Sequence, residues 1–297
     1  MENYIELSVQ SVLAQDYDNL ELIVIDDGST DDTLSVVEKA CGRPGSSRVI
    51  HTDNRGVSAA RNTALDICSG DYVYFVDADD WLPQGSINRL VKVAIRDSAD
   101  VVLTRAGFCF PNGTSTIQAV RSVASDDLNH FGPVSCGLPT FIWNYLFSKR
   151  AIGNHRFNER LRVQEDTDFI LSVCKPGLRY TLCDDITYYY RANRSGSALS
   201  ELDIEGCLQA KLVRKRALLE CDECAPGYRA SEDYGVACFG VLRRLATDKN
   251  RYYEEVRLSS SIKRSLSLCR DIKVQLVRAA ERYPRLMRPL FMALGLF

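Results

Sequence analysis

The sequence has little of what defines several large classes of protein. No apolar run approaches the roughly 18 to 20 residues that span a bilayer, so we expect a protein without membrane-spanning helices. The eleven cysteines have no paired spacing beyond Cys221-x-x-Cys224, which argues against a secreted disulfide framework or a zinc site and favours a reducing cytoplasm. The net charge of −2 gives no general attraction to nucleic acid. No Gly-x-Gly-x-x-Gly follows a predicted strand, which argues against a dinucleotide-dependent oxidoreductase.

What is present is typical of an α/β enzyme followed by a helical region. Of the 297 residues, 45% are hydrophobic and 26% are charged, which is enough material for a sizeable core. Strand and helix patterns alternate up to about residue 200, and only helix patterns follow. We therefore predict an α/β domain over residues 1–200 and a helical C-terminal region over residues 201–297. The later helix patterns are marked by Ile204, Leu208 and Leu212, by Val236, Phe239 and Leu242, by Leu258, Ile262 and Leu266, and by Ile272 and Leu276, with a turn at Ala225-Pro226-Gly227.

The end of the chain is basic and apolar. Residues 251–297 hold ten Lys or Arg against four acids, a net charge of +6. Arg282, Arg285 and Arg288 alternate there with large apolar residues. Such a segment can pack on protein, or it can contact a membrane surface peripherally, where anionic lipids attract the arginines. Both interpretations stay open, and the second places the protein in the cytoplasm at the inner face of the membrane.

The first hundred residues predict alternating helices and strands. Apolar residues recur at helical spacing in some segments, and short β-prone runs separate these segments. Units of this kind in succession imply a mostly parallel sheet that helices cover on both faces. The predicted elements are a helix over 5–13, a strand over 21–25, a helix up to Cys41 with a capping box formed by Ser29 and Asp32, a strand over 48–51, a helix over 57–67, a strand over 72–76, a helix over 87–94 and a strand over 100–104.

Carboxylates follow two of the predicted strands directly. Asp26 and Asp27 end one strand, and Asp77 and Asp79 follow another. In open α/β sheets, ligands bind outside the carboxyl ends of the strands. Two carboxylates at i and i+2 suit a divalent cation that also takes oxygen ligands from a bound phosphate. Each motif taken alone is also explained by a solvated acidic turn or a helix N-cap, but together they indicate one site.

In their order and spacing, the motifs resemble those of the family 2 glycosyltransferases, from Glu2 to about Ser200. This resemblance implies an inverting, nucleotide-sugar-dependent enzyme with the GT-A fold, which is a Rossmann-like mixed α/β sheet flanked by helices, here with an all-helical extension. The matching segments are Tyr-Ile-x-x-Ser-Val-x-Ser-Val-Leu-x-Gln at 4–15, Val-Ile-Asp-Asp-Gly-Ser-Thr-Asp at 24–31, Asn-x-Gly-x-Ser-x-Ala-Arg-Asn at 54–62, Gly-Asp-Tyr-x-x-Phe-x-Asp-x-Asp-Asp at 70–80, Ile-Trp-Asn-Tyr-Leu-Phe at 142–147, Arg156-Phe157 with Glu165-Asp166-x-x-Phe169, and Tyr-Tyr-Tyr-Arg at 188–191 with Ser195 and Ser197.

The resemblance implies a donor site at the strand ends. Asp27 is expected to accept a hydrogen bond from the nucleotide base or ribose. Asp77 and Asp79 are expected to hold the ribose and, chiefly through Asp79, a Mn²⁺ or Mg²⁺ ion that bridges the diphosphate. The expected donor is UDP-linked, and the expected product is a surface polysaccharide or another glycan.

The resemblance also suggests three further donor- or acceptor-binding residues. Arg61 is a candidate to contact the nucleotide, and its alternative is a structural ion pair. Arg191, with the segment that follows it, is a candidate to close over the diphosphate, and its alternative is a surface loop. Trp143 is a candidate for the sugar or acceptor pocket, and its alternative is a place in the core.

The resemblance implies that Asp166 is the catalytic base. Inverting transfer requires a carboxylate that takes the proton of the acceptor hydroxyl as this oxygen attacks the anomeric carbon. Glu165 is expected to orient the acceptor or the loop, although the two acids can exchange roles. The acceptor is expected to be a glycan or a lipid-linked glycan.

One departure from the family pattern concerns the start of the chain. The family opens with a buried strand directly before the helix that begins here near Glu2, and this strand is absent from the sequence. We expect a true start some residues upstream of Met1, because the remaining motifs are intact. The alternative is a truncated, non-catalytic relic that binds nucleotide sugars.

Overall fold

A computed structural model describes residues 1–42, 47–120, 122–192, 204–221, 234, 237–238, 241–242, 272–284 and 287. The chain divides into two compact units, Met1–Pro133 with Leu138–Ser197, and Val134–Gly137 with Ala198–Phe297. The boundary predicted near residue 200 falls within residues 193–203, outside the described residues, and stays a prediction.

The first unit alternates helices and strands, as expected. Its elements are α1 (Ile5–Leu13), β1 (Leu22–Asp27), α2 (Thr33–Cys41), β2 (Ser47–Thr52), α3 (Val57–Ile67), β3 (Tyr72–Tyr74), α4 (Ser86–Arg96), β4 (Val101–Cys109), β5 (Ser115–Ile117), α5 (Ser125–Phe131), a 3₁₀ turn (Ile142–Asn144), β6 (Tyr145–Ser148), α6 (Lys149–Ile152), α7 (Glu165–Val173) and β7 (Tyr180–Arg191).

The start of α2 differs from the prediction. The helix begins at Thr33, and the side chain of Asp32 makes no capping hydrogen bond. Instead, the carboxylate of Asp31 accepts the N–H of Thr33 at 3.2 Å and its hydroxyl at 2.5 Å. The predicted capping box between Ser29 and Asp32 is therefore wrong, because the neighbouring acid satisfies the first turn of the helix.

The strands form two sheets rather than one mostly parallel sheet. β1 and β2 pair in parallel. In the five-stranded sheet, β3, β6, β4 and β5 are neighbours in that order and pair antiparallel, whereas β7 pairs in parallel with β4. The prediction of a mostly parallel sheet is wrong because β5 returns directly on β4 and β6 enters between β3 and β4. Whether a further strand belongs beside these sheets stays a prediction.

The core of the first unit lies between the mixed sheet and α4. Leu90 and Ala94 of α4 and Val102 and Ala106 of β4 are all fully buried. Burying a side chain of the size of Leu contributes about 1.5 to 3 kcal/mol to the free energy of unfolding. A smaller cluster, built around Val37 of α2, joins α1 and α2 to β1. Ala78, between Asp77 and Asp79, packs against the smaller cluster, which places the acidic turn after β3 beside it.

The second unit contains the helices α8 (Ile204–Glu220) and α9 (Ile272–Arg282). α8 buries Val213 and Ala217, and α9 buries Val277 and Ala280. Among the residues described here, no helix combines the length and the apolarity needed to cross a membrane. Several predicted features lie outside the described residues, namely the helix through Leu258 and Leu266, the turn at 225–227, Ser195, Ser197, Cys224, Arg285 and Arg288.

Candidate active site

The end of β1 is tied to the start of α3 by Asp27. Its Oδ1 accepts the N–H of Arg55 at 2.9 Å, and its Oδ2 accepts the N–H of Gly56 at 2.7 Å. Gly28 follows with a φ of 71°, and a Cβ atom there would lie 2.6 Å from the nitrogen of Asn54. The turn after β1 and the loop before α3 thus lie against each other, and only a glycine fits between them.

Asp26 faces the interior of the same turn. It is 4% exposed, its Oδ2 lies 2.6 Å from Nδ1 of His51, and its Oδ1 accepts the N–H of Ser29 at 3.4 Å. Burial by itself raises the pKa of Asp26, but the hydrogen bonds from Ser29 and His51 outweigh it, and the pKa lies below its usual value. Asp26 is therefore ionised and bonded within the protein, and Asp27 is the more exposed acid of the pair.

Arg61, in α3, joins three carboxylates that are far apart in sequence. Its Nη1 donates to Oε1 of Glu165 at 3.0 Å and to Oδ1 of Asp166 at 2.6 Å, and its Nη2 donates to Oδ1 of Asp77 at 3.0 Å. The side chain of Arg61 is 11% exposed, and those of Glu165 and Asp166 are 15% and 17% exposed. The structure thus brings together four of the residues predicted for the site. We call this group the arginine cluster.

In the arginine cluster, one guanidinium faces three carboxyl groups in a poorly solvated place. The three carboxylates raise the pKa of Arg61 in spite of its burial, so the guanidinium stays charged. Burial raises the pKa of Asp166, Arg61 lowers it, and the neighbouring carboxylates raise it again, so that it lies at about 7. A carboxyl group with such a pKa accepts a proton near neutral pH more readily than an ordinary aspartate does.

The carboxylate of Asp166 is fixed from two sides. Oδ1 faces Arg61, and Oδ2 accepts the N–H of Ile142 at 3.0 Å. Gln164, directly before α7, has a φ of 62°. This left-handed conformation costs a residue with a Cβ atom roughly 1 to 2 kcal/mol, and such strain recurs at functional sites. The strained residue, Gln164, comes directly before Glu165 and Asp166, the two acids in the first turn of α7 that bond to Arg61.

Asn62 holds α3 to the chain segment that leads into α7. Its amide nitrogen donates to the carbonyl of Phe157 and to Oε1 of Glu159, both at 3.0 Å, and its side-chain oxygen accepts the N–H of Phe157 at 2.8 Å. Asn62 is 8% exposed, and these bonds satisfy its buried amide. The neighbour of Arg61 therefore helps to fix the distance between α3 and α7.

The acidic turn 77–80 is held by Tyr188 from β7. The hydroxyl of Tyr188 donates to Oδ2 of Asp80 at 2.7 Å and accepts the N–H of Asp77 at 3.0 Å. Burial raises the pKa of Asp80 to about 7. Asp80 and Tyr188 are 1% and 0% exposed, so they support the turn and do not themselves face solvent. The sequence patterns indicate no role for either residue, although Asp80 directly follows Asp79 and Tyr188 lies in a run of three tyrosines.

Arg191 also lies against the acidic turn. Its Nε donates to the carbonyl oxygen of Asp79 at 2.9 Å, and its backbone N–H donates to Oδ1 of Asp80 at 2.7 Å. Its guanidinium lies over the rings of Tyr4 and Trp81, 4.9 and 4.8 Å from their centres. These cation–π contacts hold the charge of Arg191 beside Asp79.

Trp143 does not join the acidic groups. It is 2% exposed and stacks with Phe141 and Tyr188, each 4.9 Å away between ring centres. The sequence left a place in the core open as the alternative for Trp143, and the structure shows Trp143 there. In this position no face of the indole is left for a sugar.

Carboxylate oxygens at the acidic turn match the ligands that Mn²⁺ and Mg²⁺ prefer. Asp77 is 34% exposed, and only its Oδ1 is bonded to Arg61. Asp80 is already bonded to Tyr188 and Arg191. Within the described part of the chain, no group of three or more acidic, histidine or cysteine side chains is arranged to hold a metal. Asp77 keeps Oδ2 outside its contact with Arg61, where it can bind an ion that also takes ligands from a bound diphosphate, whereas Asp79 is 9% exposed.

The family model for glycosyl transferase family 2 matches residues 2–161, which is more than half of the chain. The chain belongs to glycosyltransferase family 2. Among curated family members, it is 27% identical over 225 residues to the uncharacterized glycosyltransferase EpsJ of Bacillus subtilis, over 72% of this chain and 64% of EpsJ. The match thus spans less than two thirds of the length of EpsJ.

Two solved glycosyltransferase structures share the fold. Residues 1–349 of Staphylococcus aureus TarS, in complex with UDP-GlcNAc, superpose with a TM-score of 0.66 at 19% identity, over 98% of this chain and 88% of that one. The mannosyltransferase PcManGT of Pyrobaculum calidifontis, in complex with GDP-Man and Mn²⁺, gives a TM-score of 0.58 at 17% identity, over 99% and 80% of the two chains. The predicted GT-A fold with a mixed sheet flanked by helices is thereby confirmed.

Proposed function

We propose that this family 2 member is an inverting glycosyltransferase. It moves a sugar from a nucleoside-diphosphate donor to a hydroxyl group of a glycan or lipid-linked acceptor in the synthesis of a surface polysaccharide. The observation that carries the proposal is the arginine cluster, because Arg61 joins Asp77 of the acidic turn directly to Glu165 and Asp166. Arg61 thus links Asp166, the proposed base, to Asp77 on the donor side. One site can then act both on the attacking acceptor hydroxyl and on the leaving diphosphate.

In this proposal Asp166 takes the proton of the acceptor hydroxyl. The acceptor oxygen forms a bond to the anomeric carbon, while the bond from that carbon to the diphosphate breaks on the opposite side and its electron pair leaves with the diphosphate. The pKa of Asp166, at about 7, suits a base that works near neutrality. The N–H of Ile142 keeps the carboxylate oriented. Glu165 shares Arg61 and orients the acceptor or the loop, and an exchange of roles between the two acids stays open.

The donor binds at the acidic turn and at the end of β1. Asp77 and Asp79 hold the ribose and a Mn²⁺ or Mg²⁺ ion, Asp27 accepts a hydrogen bond from the base or ribose with the lone pairs that its backbone contacts leave, and Arg191 contacts the diphosphate. When bound, the metal neutralises charge that grows on the leaving diphosphate. The TarS complex supports a UDP-linked donor, and the PcManGT complex supports Mn²⁺. Trp143, being buried, has no part in this proposal.

The cellular location belongs to the same proposal. Cys41, Cys68, Cys109 and Cys183 are thiols rather than disulfides, which supports a reducing cytoplasm. Peripheral contact with the inner face of the membrane through the basic end of the chain stays a proposal, because Arg285 and Arg288 lie outside the described residues.

Donor binding tests the metal part of the proposal. In calorimetric titrations of the purified chain with UDP-GlcNAc, UDP-galactose, UDP-glucose and GDP-mannose, we expect one UDP-sugar to bind in the presence of Mn²⁺. We expect Asp79→Asn to weaken that binding roughly 10-fold or more, because even the loss of a group that only supports a metal ligand typically costs about 10- to 100-fold. Asp184→Asn removes the same charge from a side chain that is 76% exposed and serves as the matched control.

The same titrations can contradict the proposal. Equal donor affinity in the presence of Mn²⁺ and of EDTA would show that donor binding needs no metal ion and would contradict the metal site. Binding to the wild-type chain without any sugar release under any condition would favour the non-catalytic relic.

A further inference from the structure

Phe141 is an exposed aromatic residue at the edge of the core. It is 43% exposed, whereas Ile142, Trp143 and Tyr145, which follow it closely, are each 2% exposed or less. Single exposed apolar residues are common on protein surfaces, but ligand sites combine aromatic side chains with a few placed polar groups, so the neighbours of Phe141 decide whether it can bind a ligand.

The ring of Phe141 is held in one orientation. It stacks on Trp143 with an interplanar angle of 2°, and Trp143 stacks on Tyr188 with an angle of 6°. Trp143 is itself buried, so the stack is anchored in the core. One face of the Phe141 ring packs on Trp143, and the exposed part of the ring faces solvent as a rigid, flat apolar surface.

The same chain segment is tied to the helix that carries the proposed base. The N–H of Ile142 donates to Oδ2 of Asp166 at 3.0 Å, and the hydroxyl of Thr167 donates to the hydroxyl of Thr140 at 2.9 Å. The Cα atom of Phe141 is two bonds from the nitrogen of Ile142, so it lies within about 5.5 Å of that carboxylate oxygen. Phe141 and Asp166 therefore keep a fixed spacing.

The segment that carries Phe141 contacts a different oxygen of Asp166 from the one that contacts Arg61. Oδ1 of Asp166 faces Arg61 and, through it, Asp77 of the acidic turn. Oδ2 faces the backbone of the segment that carries Phe141. The backbone next to Phe141 thus contacts the carboxylate oxygen that is not bonded to Arg61.

The charge distribution of the Phe141 ring indicates which class of acceptor it can bind. An aromatic face carries partial negative charge, and one face of a pyranose ring presents several C–H groups with partial positive charge. We propose that Phe141 is an acceptor-binding residue that stacks on the C–H face of a pyranose unit whose hydroxyl group points at Asp166. This inference rests on the function proposed above. It narrows the acceptor to a sugar in the pyranose form, because an open-chain polyol offers no such face.

The test uses the full chain with 4-fluorophenylalanine placed at position 141. Methyl β-D-glucopyranoside, methyl β-D-galactopyranoside and ribitol are titrated separately, and the ¹⁹F resonance is followed. We expect at least one pyranoside to shift the resonance in a saturable manner and ribitol to leave it in place.

Kinetics of variants supply the second part of the test. With the pyranoside that binds as acceptor, we expect Phe141→Ala to raise the acceptor KM about fivefold, the range of one aromatic contact, with the donor Kd retained. Phe141→Tyr keeps the ring and is expected to restore the acceptor KM. Ile95→Ala, which shortens a side chain that is 65% exposed on α4, is the matched control.

The outcomes separate this inference from the proposed function. If UDP-sugars are bound and hydrolysed but no pyranoside shifts the resonance, or if Phe141→Ala leaves the acceptor KM unchanged, the stacking role is overturned and the transferase proposal stands. A response to ribitol equal to that of the pyranosides also overturns it. If no UDP-sugar is bound or hydrolysed by the wild-type chain, the proposed function fails first and this inference fails with it.

Discussion

Asp166→Asn is expected to lower the rate of sugar transfer by about 10² to 10⁴, the usual contribution of a positioned base. Asparagine keeps the shape of the side chain and an oxygen that can accept the N–H of Ile142, but it cannot accept the proton of an acceptor hydroxyl. The donor Kd should change little, because Asp166 is hydrogen-bonded to Arg61 and Ile142 and not to the acidic turn itself. The measurement is kcat from nucleoside diphosphate release, together with the donor Kd from calorimetry.

The matched control for this variant is Asp168→Asn. Asp168 lies in the same first turn of α7, so the substitution removes the same charge from the same helix end. We expect the control to keep most of the activity. If Asp166→Asn and Asp168→Asn lose activity to the same extent, the effect belongs to the helix and the assignment of the base is wrong. If only Glu165→Gln loses activity, the two acids have exchanged roles.

Replacing Arg61 is expected to have the second large effect, on stability and on pH dependence together. In Arg61→Met, the carboxylates of Asp77, Glu165 and Asp166 lose their common cation. Removing one partner from a buried ion pair typically costs about 3 to 5 kcal/mol of unfolding free energy. We therefore expect a clearly lower melting temperature near pH 8, and a smaller loss at acid pH, where the carboxyl groups are protonated. Thermal unfolding at several pH values measures this.

The pH dependence of kcat/KM, which reports the pKa values of the free enzyme, gives the sign of the effect of Arg61 on the base. Because the base acts in its ionised form, the wild-type rate should rise with pH through about 7, the pKa of Asp166, and then level off. Arg61 lowers that pKa, whereas burial and the neighbouring carboxylates raise it. In Arg61→Lys, which keeps the charge but not the fork of donors, the rise should therefore move to higher pH.

The control for the Arg61 variants is Arg96→Met. Arg96 is 68% exposed and pairs with Asp97 on the surface of the protein. An exposed pair of this kind contributes roughly 0 to 1 kcal/mol, so little change is expected in stability or in the pH profile. A wild-type profile that does not change between pH 5 and 8, or a rise at lower pH in Arg61→Lys, would contradict the role given to the arginine cluster.

Local patterns predicted much of the fold. The helices α1, α3 and α4 and the strands β1, β2 and β4 lie where apolar spacing places them, because each spacing belongs to one type of element. The pairing of the strands was predicted less well. β6 lies between β3 and β4, and nothing local in residues 145–148 indicates that it runs antiparallel to both.

Many members of the candidate site were predictable from the sequence, but their contacts were not. The acids after predicted strands stand at positions that are unusual for core residues, whereas the acids of α7 were assigned through the resemblance to the family. That Arg61 bonds to Asp77, Glu165 and Asp166 depends on the packing of α3 against the segment before α7, which no local pattern encodes. For the same reason, the sequence could not decide that Trp143 is buried while Phe141 is exposed, since neighbouring aromatic residues look alike until the chain is folded.

The most direct test of the central claim is the anomeric configuration of the first product. The chain is mixed with Mn²⁺ and the UDP-sugar that it binds, whose sugar is α-linked, and the sugar released to water is followed by ¹H NMR before it mutarotates. Inverting displacement with Asp166 as the base predicts that the β-anomer appears first, and that Asp166→Asn releases it far more slowly. Release of the α-anomer first would contradict the account, because retention requires a different displacement from the one that this site is proposed to carry out.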